Sequence, residues 1–463
     1  MSSDPPTLGS KGTGRTTVPP GTPHILAVNP WIHDFAAYDF WARPLGLLTL
    51  AGILRRHGCR VSYLDCLDRF HPRGPRGDPQ ARFGCGSFRK QRLPTPAVFG
   101  GVPRRFARYG IDPAWLREDL ARLPHVDLVL VTSGMTYWYT GLQETVRTLR
   151  ELMPQVPLVL GGTYATLCRE HAVALSGVDE VVTGAAEAVI LGVVAAHTGY
   201  HAAPRFDPDA LDTIPYPAHD LQTRISCVPF LTSRGCPYAC AYCAARLLDP
   251  RRLRRSPDSV VAELAYWHHR WGVADFALYD DAFLADPAGH ARPVLEALVR
   301  AALPIRLHTP NALHVRGIDP ETARLLFAAG FKTLRLGLET TEFEHRGRLD
   351  RKVASGEFAR AAAALRAAGF DRRQVGAYLL AGLPGEDEAA LRNSIEAVKQ
   401  AGLTPVLAYY SPIPGTALWG RAAAASRYDL GSDPLLSNNA VFPCRREPFS
   451  WEWLARLRRE AAA

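Results

Sequence analysis

Short apolar runs alternate with helix-patterned stretches along nearly the whole chain, and that alternation limits the folds open to it. A first series of runs falls at residues 25–28, 60–65, 127–131, 158–160 and 180–182, with helical stretches such as 142–152, 164–174 and 186–196 between them. Parallel strands need a crossover connection, so this spacing predicts a parallel sheet covered by helices on both faces. Residues 207–224, with Pro208, Pro215 and Pro217, read as a linker. A second series follows at residues 228–231, 274–279, 304–308, 333–338, 375–380 and 406–410. Its helices are expected at 257–271 (with Ser256 as N-cap), 287–302, 320–329, 355–368 and 386–400. Right-handed crossovers place all strand C-termini of such a series on one rim. At 463 residues, two to three domains are expected.

Immediately after the first run of the second series comes Thr232-Ser233-Arg234-Gly235-Cys236-Pro237-Tyr238-Ala239-Cys240-Ala241-Tyr242-Cys243. Three thiolates within eight residues can all reach one metal centre, and Gly235 and Pro237 favour a tight loop around the first. The spacing offers three ligands and no evident fourth. An iron–sulfur cube takes four thiolates, so three would leave one iron open, as catalytic metal sites keep a position for substrate. A structural zinc, or a four-cysteine cluster completed by Cys227 or Cys444, is the alternative reading.

CxxxCxxC with Tyr242 before the last cysteine resembles the cluster motif of the radical SAM superfamily. The resemblance implies a [4Fe–4S] cluster on Cys236, Cys240 and Cys243, with S-adenosylmethionine chelating the unique iron through its amino and carboxylate groups. Reductive cleavage of the sulfonium then gives a 5′-deoxyadenosyl radical that abstracts hydrogen from substrate. It also implies that the second series is an open, partial (β/α)6 TIM barrel with its site at the strand C-termini. On that rim, Asp280 and Asp281 end the second strand, as acceptors for the cofactor's ammonium or ribose hydroxyls or equally as loop-fixing carboxylates; Thr309-Pro310-Asn311 ends the third, and Gly337-Leu338-Glu339-Thr340 ends the fourth. The last resembles the family's GxES-like segment, which makes Glu339 the principal polar candidate; pairing with Arg335 or Arg346 is its structural alternative. Gly382-Leu383-Pro384-Gly385 and Ser411-Pro412-Ile413-Pro414-Gly415 match loops whose backbone approaches the adenine, with Tyr242 near the same ring. His308 and His314 read better as structural histidines than as proton donors.

In the first series, Thr132-Ser133-Gly134, Leu160-Gly161-Gly162-Thr163-Tyr164-Ala165-Thr166 and the segment from Asp179 to Glu187 sit at strand ends. Together they resemble the cobalamin-binding-type domain that precedes the barrel in a large radical SAM class. The resemblance implies a Rossmann-like sheet whose turns, through Thr132, Ser133, Gly161 and Gly162, line a corrin. The DxHxxG that supplies an axial histidine in mutases is absent; Asp68-Arg69-Phe70-His71-Pro72-Arg73-Gly74 does not match it. Bound cobalamin and a domain that only shapes the substrate site therefore both stay open.

Composition sets the remaining bounds. With 47% hydrophobic and 21% charged residues, the chain has the composition of a soluble globular protein, and no apolar run is long enough to span a membrane. Nine cysteines, an odd number with one tight group, point to a reducing compartment, hence the cytoplasm, and to a metal rather than disulfides. The net charge of +9 is concentrated between Arg69 and Pro124, where twelve Lys/Arg face four acids. Such a stretch suits an acidic electron donor such as flavodoxin or ferredoxin, or is simply a solvated Pro/Gly-rich excursion. Nucleic acid is disfavoured, since no binding motif accompanies the charge. The expected organisation is a disordered leader (1–23), a Rossmann-like domain (24–200) with a basic insertion (66–124), a linker (201–227), the partial barrel (228–417) and a tail (418–463). The function expected is reductive cleavage of S-adenosylmethionine acting on a small-molecule or peptide substrate, with methyl transfer to an unreactive carbon if cobalamin is bound. Rearrangement, cyclisation or C–S chemistry without cobalamin, and a non-catalytic cluster or zinc scaffold, are the alternatives.

Overall fold

A computed structural model describes residues 21–343, 349–445 and 450–462. The expected leader lies outside the described residues as far as residue 20.

The first sheet is wholly parallel, with spatial order Arg60–Asp65, His24–Asn29, Leu128–Val131, Leu158–Leu160, Glu180–Val181. Strand order reverses between His24–Asn29 and Leu128–Val131, and open sheets of this kind present a crevice at the strand C-termini. Alternate side chains of the central strand serve two cores. Leu26 and Val28 pack with Leu142, Val146 and Leu149 of the helix Tyr139–Leu152. Ile25 and Ala27 pack with Ile53 and Leu54 of Leu45–Arg56 and with Val193 and Val194 of Ile190–Thr198. Burial on both faces is why these strands read as continuous apolar runs.

The second sheet runs in sequence order: Val228–Phe230, Asp275–Leu278, Arg306–His308, Phe331–Glu339, Val375–Ala381, Thr404–Tyr409, each parallel to the next. The first and last strands do not pair, so the barrel is open on one side. The helix Pro257–Trp271 starts as its sequence predicts, with the Ser256 hydroxyl accepting from the Ser259 amide. Two helices differ from expectation. The one expected at 164–174 is broken by non-helical backbone at Cys168 into Thr163–Leu167 and Arg169–Leu175. The one expected at 287–302 begins with a π-helical turn, Pro287–Ala291, before Arg292–Ala301.

The basic stretch is more ordered than an excursion. Ile32–Asp34, Ala107–Tyr109 and Lys90–Arg92 form a small antiparallel sheet, and Asp112 caps the helix Pro113–Ala121. Several of its arginines are neutralised: Arg73 by Glu118 and Asp119, Arg108 by Glu144, Arg117 by Glu151.

This part of the first domain also enters the barrel. Trp41, 1% exposed, stacks on His308 of the third barrel strand at 4.4 Å and 21°. Its indole N–H donates to the Phe83 carbonyl at 2.6 Å, and the Arg43 amide donates to the Tyr279 hydroxyl at 3.1 Å. Trp41, Arg82 and Phe83 all adopt positive φ, which bulky residues keep only where packing dictates it. On the open side, the C-terminal tail ties both bodies together. Asn438 Nδ2 donates to Asp34 at 2.9 Å, and Ser411 Oγ donates to the Ser437 carbonyl at 2.7 Å. The helix Trp451–Ala462 buries Trp453, Leu454 and Leu457 in the barrel's core.

Candidate cluster and cofactor site

The cysteine loop leaves the first barrel strand through Ser233–Arg234, which pairs antiparallel with Leu253–Arg254. Gly235 turns the chain at φ +79°, where a Cβ would lie 1.9 Å from the Arg251 carbonyl oxygen. No other residue fits there. Tyr238 stacks on His314 at 4.5 Å, and burial followed by the charge of Lys352 lowers that histidine to about 3, so it is neutral. Ala241 is held from both sides, its amide donating to Leu349 O at 2.7 Å and its carbonyl accepting from the Leu418 amide at 2.8 Å. Cys236 and Cys240 are half-buried and Cys243 is exposed. Burial pushes Cys240 up to about 11 against the pull of Lys352, and burial also raises Cys236; the Cys243 sulfur adds repulsion to both.

The Cys243 sulfur thus lies near both others. Three thiols of one loop suit a cube, which takes each thiolate on a different iron. Neither proposed fourth cysteine joins it: Cys227 is buried with Trp41, Cys85 and Ala277, and the Cys444 thiol points at the Ala422 carbonyl at 3.7 Å.

Glu339 ends the fourth strand beside a register shift, with φ +65°, and is 6% exposed. Arg335 makes no ion pair with it, and Arg346 lies outside the described residues. Lys352 Nζ donates to Glu339 Oε1 at 2.7 Å and sits 5.5 Å from the centre of the Tyr242 ring. Burial alone would lower Lys352; the charges of Glu339 and Cys240 outweigh it and hold the ammonium above its ordinary value. Lys352 is the residue the sequence did not reveal, because a single lysine beyond a loop carries no spacing signal.

The other rim residues divide by what already engages them. Both Asp280 oxygens are occupied: Oδ1 by the Thr232 amide at 2.6 Å, Oδ2 by the Thr232 and Ser233 hydroxyls at 2.5 and 2.6 Å. Burial raises Asp280 to about 6 despite these bonds. Asn311 Nδ2 donates to the Tyr279 carbonyl at 2.7 Å, bracing two strand ends. The Gly382 amide donates to Glu386, and a Cβ on Gly382 would meet the Phe442 ring at 3.0 Å. Pro412 is buried after the last strand. His308 is fully buried between Asp275 and Thr333, a structural histidine.

Asp281 instead opens on a cavity of about 340 Å³, or about 1300 Å³ with its mouth, between the two domains. Thr132, Gly161 and Gly162 line its far wall, Arg234, Gly235 and Asp281 the near one. Ser133 stands behind that wall, its hydroxyl donating to the Gly161 carbonyl at 2.7 Å. Gly162 lies at φ +95°, where a Cβ would meet the Ser133 carbonyl oxygen at 2.5 Å. The buried Arg234–Glu187 ion pair crosses between the domains at this cavity.

Residues 230–398 match the Radical SAM superfamily. The chain carries a radical SAM domain. The matched segment begins with the strand before the cysteine loop and ends in the helix Glu388–Gln400. An uncharacterised methyltransferase of Pyrococcus horikoshii is 24% identical over 332 residues, 65% of this chain and 69% of that protein. The radical S-adenosylmethionine methyltransferase TsrM of Kitasatospora setae, solved with tryptophan and a SAM analogue, superposes with TM-score 0.64 at 16% identity, over 90% of this chain and 83% of its own. The cobalamin-dependent radical enzyme OxsB superposes with TM-score 0.54 at 12% identity; 84% of this chain covers 53% of OxsB, about half its length. The two-domain arrangement, a parallel sheet ahead of the radical SAM barrel, is thus that of known structures. Among the described residues, no helix is long and apolar enough to cross a membrane.

Proposed function

We propose that this radical SAM enzyme transfers a methyl group to an unreactive carbon with cobalamin seated in the cavity between its domains. The cavity carries the reading: glycine turns of the first sheet form one wall and the cluster loop forms the other. Glycines suit a wall that a broad planar ligand must approach closely. The methyltransferase TsrM, solved with cobalamin and a [4Fe–4S] cluster, shares the fold, and the Pyrococcus relative bears a methyltransferase name.

Cys236, Cys240 and Cys243 would hold the cluster, which would supply the electron for reductive cleavage of S-adenosylmethionine. Cobalamin, when bound, supplies a carrier for the methyl group. Lys352 places a buried positive charge beside the thiolates and holds the side chain of Glu339, an acceptor for hydroxyl or ammonium groups of S-adenosylmethionine. Asp281 offers a second acceptor on the cavity wall. Asp280 positions the strand into the cluster loop, and Asn311 braces its neighbour. The Gly382 and Pro412 loops shape the adenine side through backbone, with Tyr242 against the same ring. Thr132, Ser133, Gly161 and Gly162 form the corrinoid wall. A small molecule or peptide reacts between the domains, and an acidic flavodoxin or ferredoxin in the reducing cytoplasm supplies the electron.

The test is anaerobic reconstitution with iron, sulfide, hydroxocobalamin and S-adenosylmethionine. Corrinoid absorbance retained through gel filtration, with S-adenosylhomocysteine formed beside 5′-deoxyadenosine, is expected. 5′-Deoxyadenosine alone, from protein that retains no corrinoid, would replace methylation by radical rearrangement or cyclisation.

A further inference from the structure

The fourth barrel strand, Phe331–Glu339, alternates from Leu334 up to the register shift near its end. Leu334, Leu336 and Leu338 are 0% exposed and face the helices in the barrel's core. Arg335 and Gly337 therefore face the lumen. Glu339 reaches the cluster loop through Lys352, and a Cβ on Gly337 would meet Glu339 Oε1 at 3.3 Å and Lys352 Nζ at 3.5 Å. Arg335 lies deeper on the same line, about 13 Å from Glu339 at a strand's rise of about 3.3 Å per residue.

Arg335 is a guanidinium without a counter-charge. Its Nη1 donates to the Leu334 carbonyl at 2.9 Å, its guanidinium lies 5.5 Å from the centre of the Phe40 ring, and Tyr378 stands on the next strand against it. Among the described residues, no carboxylate lies within ion-pair distance of it. Other arginines with little exposed side chain are neutralised: Arg108 by Glu144, Arg234 by Glu187, Arg255 by Glu263. Packing partly desolvates this guanidinium, a cost that an arriving anion would offset. Arg335 and Tyr378 are only half-buried, so accessible space borders both. The floor beneath is closed by Phe40 and Trp41, the latter seated on His308.

We propose that Arg335 binds the carboxylate of the substrate, so the enzyme acts on an organic acid or amino acid whose reacting carbon points up the lumen toward the cluster. The fork of guanidinium donors matches a carboxylate in bidentate geometry, and Phe40 with Tyr378 favours an aromatic or apolar body next to that group. This rests on the functional reading above only for what the substrate is used for; the carboxylate site stands without it.

The experiment measures equilibrium binding of 3-phenylpropanoate, and of its uncharged amide, to the anaerobically reconstituted full chain. Arg335→Gln and Arg335→Lys are compared with the parent, and S-adenosylmethionine binding is followed in parallel. Expected is acid binding at least tenfold tighter than amide binding, lost at least tenfold in Arg335→Gln and partly restored in Arg335→Lys, with S-adenosylmethionine affinity and melting temperature within error of the parent. Equal binding of acid and amide would overturn it. So would loss of S-adenosylmethionine affinity in Arg335→Gln with 3-phenylpropanoate binding intact, since the carboxylate served would then be the co-substrate's. Should Arg335→Gln melt early, Arg335→Lys decides: carboxylate preference absent there despite a parental melt overturns the assignment. Carboxylate binding in a chain that forms no S-adenosylhomocysteine would instead remove the methylation reading and leave this site standing.

Discussion

At Lys352 and Glu339, two opposite charges meet at 2.7 Å with 10% and 7% of their side chains exposed. Pairing offsets the desolvation of both, so removing one strands the other. Lys352→Met is expected to destabilise the chain by about 3 kcal/mol, and the Lys352→Met/Glu339→Gln double variant by less than the sum of the singles. Urea unfolding of the three variants checks this; additive losses would show that the pair is not coupled. Glu339 was legible because it stands at a strand end within a recognisable segment. Lys352 was not: it is joined to Glu339 by the fold alone, thirteen residues on. Asp280, for which the sequence left a cofactor acceptor and a loop-fixing carboxylate equally open, accepts from Thr232 and Ser233.

Among elements, the cluster loop is the least tolerant. Gly235→Ala puts a methyl 1.9 Å from the Arg251 carbonyl in a backbone conformation that L-residues avoid. Expected are a loss of more than half the bound iron and about 2–4 kcal/mol of stability, read by iron content and denaturation. Full iron loading would mean the loop can relax. The loop after the fifth strand carries a pH dependence of its own. Burial lifts Glu386, which accepts from the Gly382 amide and faces Arg445 and Glu388, from 4.5 to about 7. The folded chain then keeps a proton that the unfolded chain releases. This contribution is full below pH 4.5, falls as pH rises toward 7 and is flat beyond. Glu386→Gln should remove it, so that between pH 5 and pH 8 the parent loses on the order of 2 kcal/mol more than the variant. Equal losses in urea midpoint would refute the assignment. The strands of both large sheets were legible because burial on two faces leaves continuous apolar runs. The three-residue strands of the small antiparallel sheet were not, being too short to show a period.

For the whole molecule, the sequence announced two α/β bodies and the motif at the mouth of the second, but not how they dock. Docking is made by side chains far apart in sequence: Trp41 on His308, Arg234 with Glu187, Asn438 with Asp34. No local pattern encodes such contacts. If Trp41 is what seats the first domain in the barrel, Trp41→Ala should cost about 3–5 kcal/mol, as deletion of a buried aromatic does. It should also loosen the domains before either unfolds, exposing the linker, residues 207–224, to limited proteolysis under native conditions. Phe331→Ala is the control. That ring, 1% exposed, belongs to the barrel's own core. It should cost a similar amount without accelerating linker cleavage. Linker cleavage rising equally in both variants would trace the effect to global destabilisation and leave Trp41 with no special part in docking.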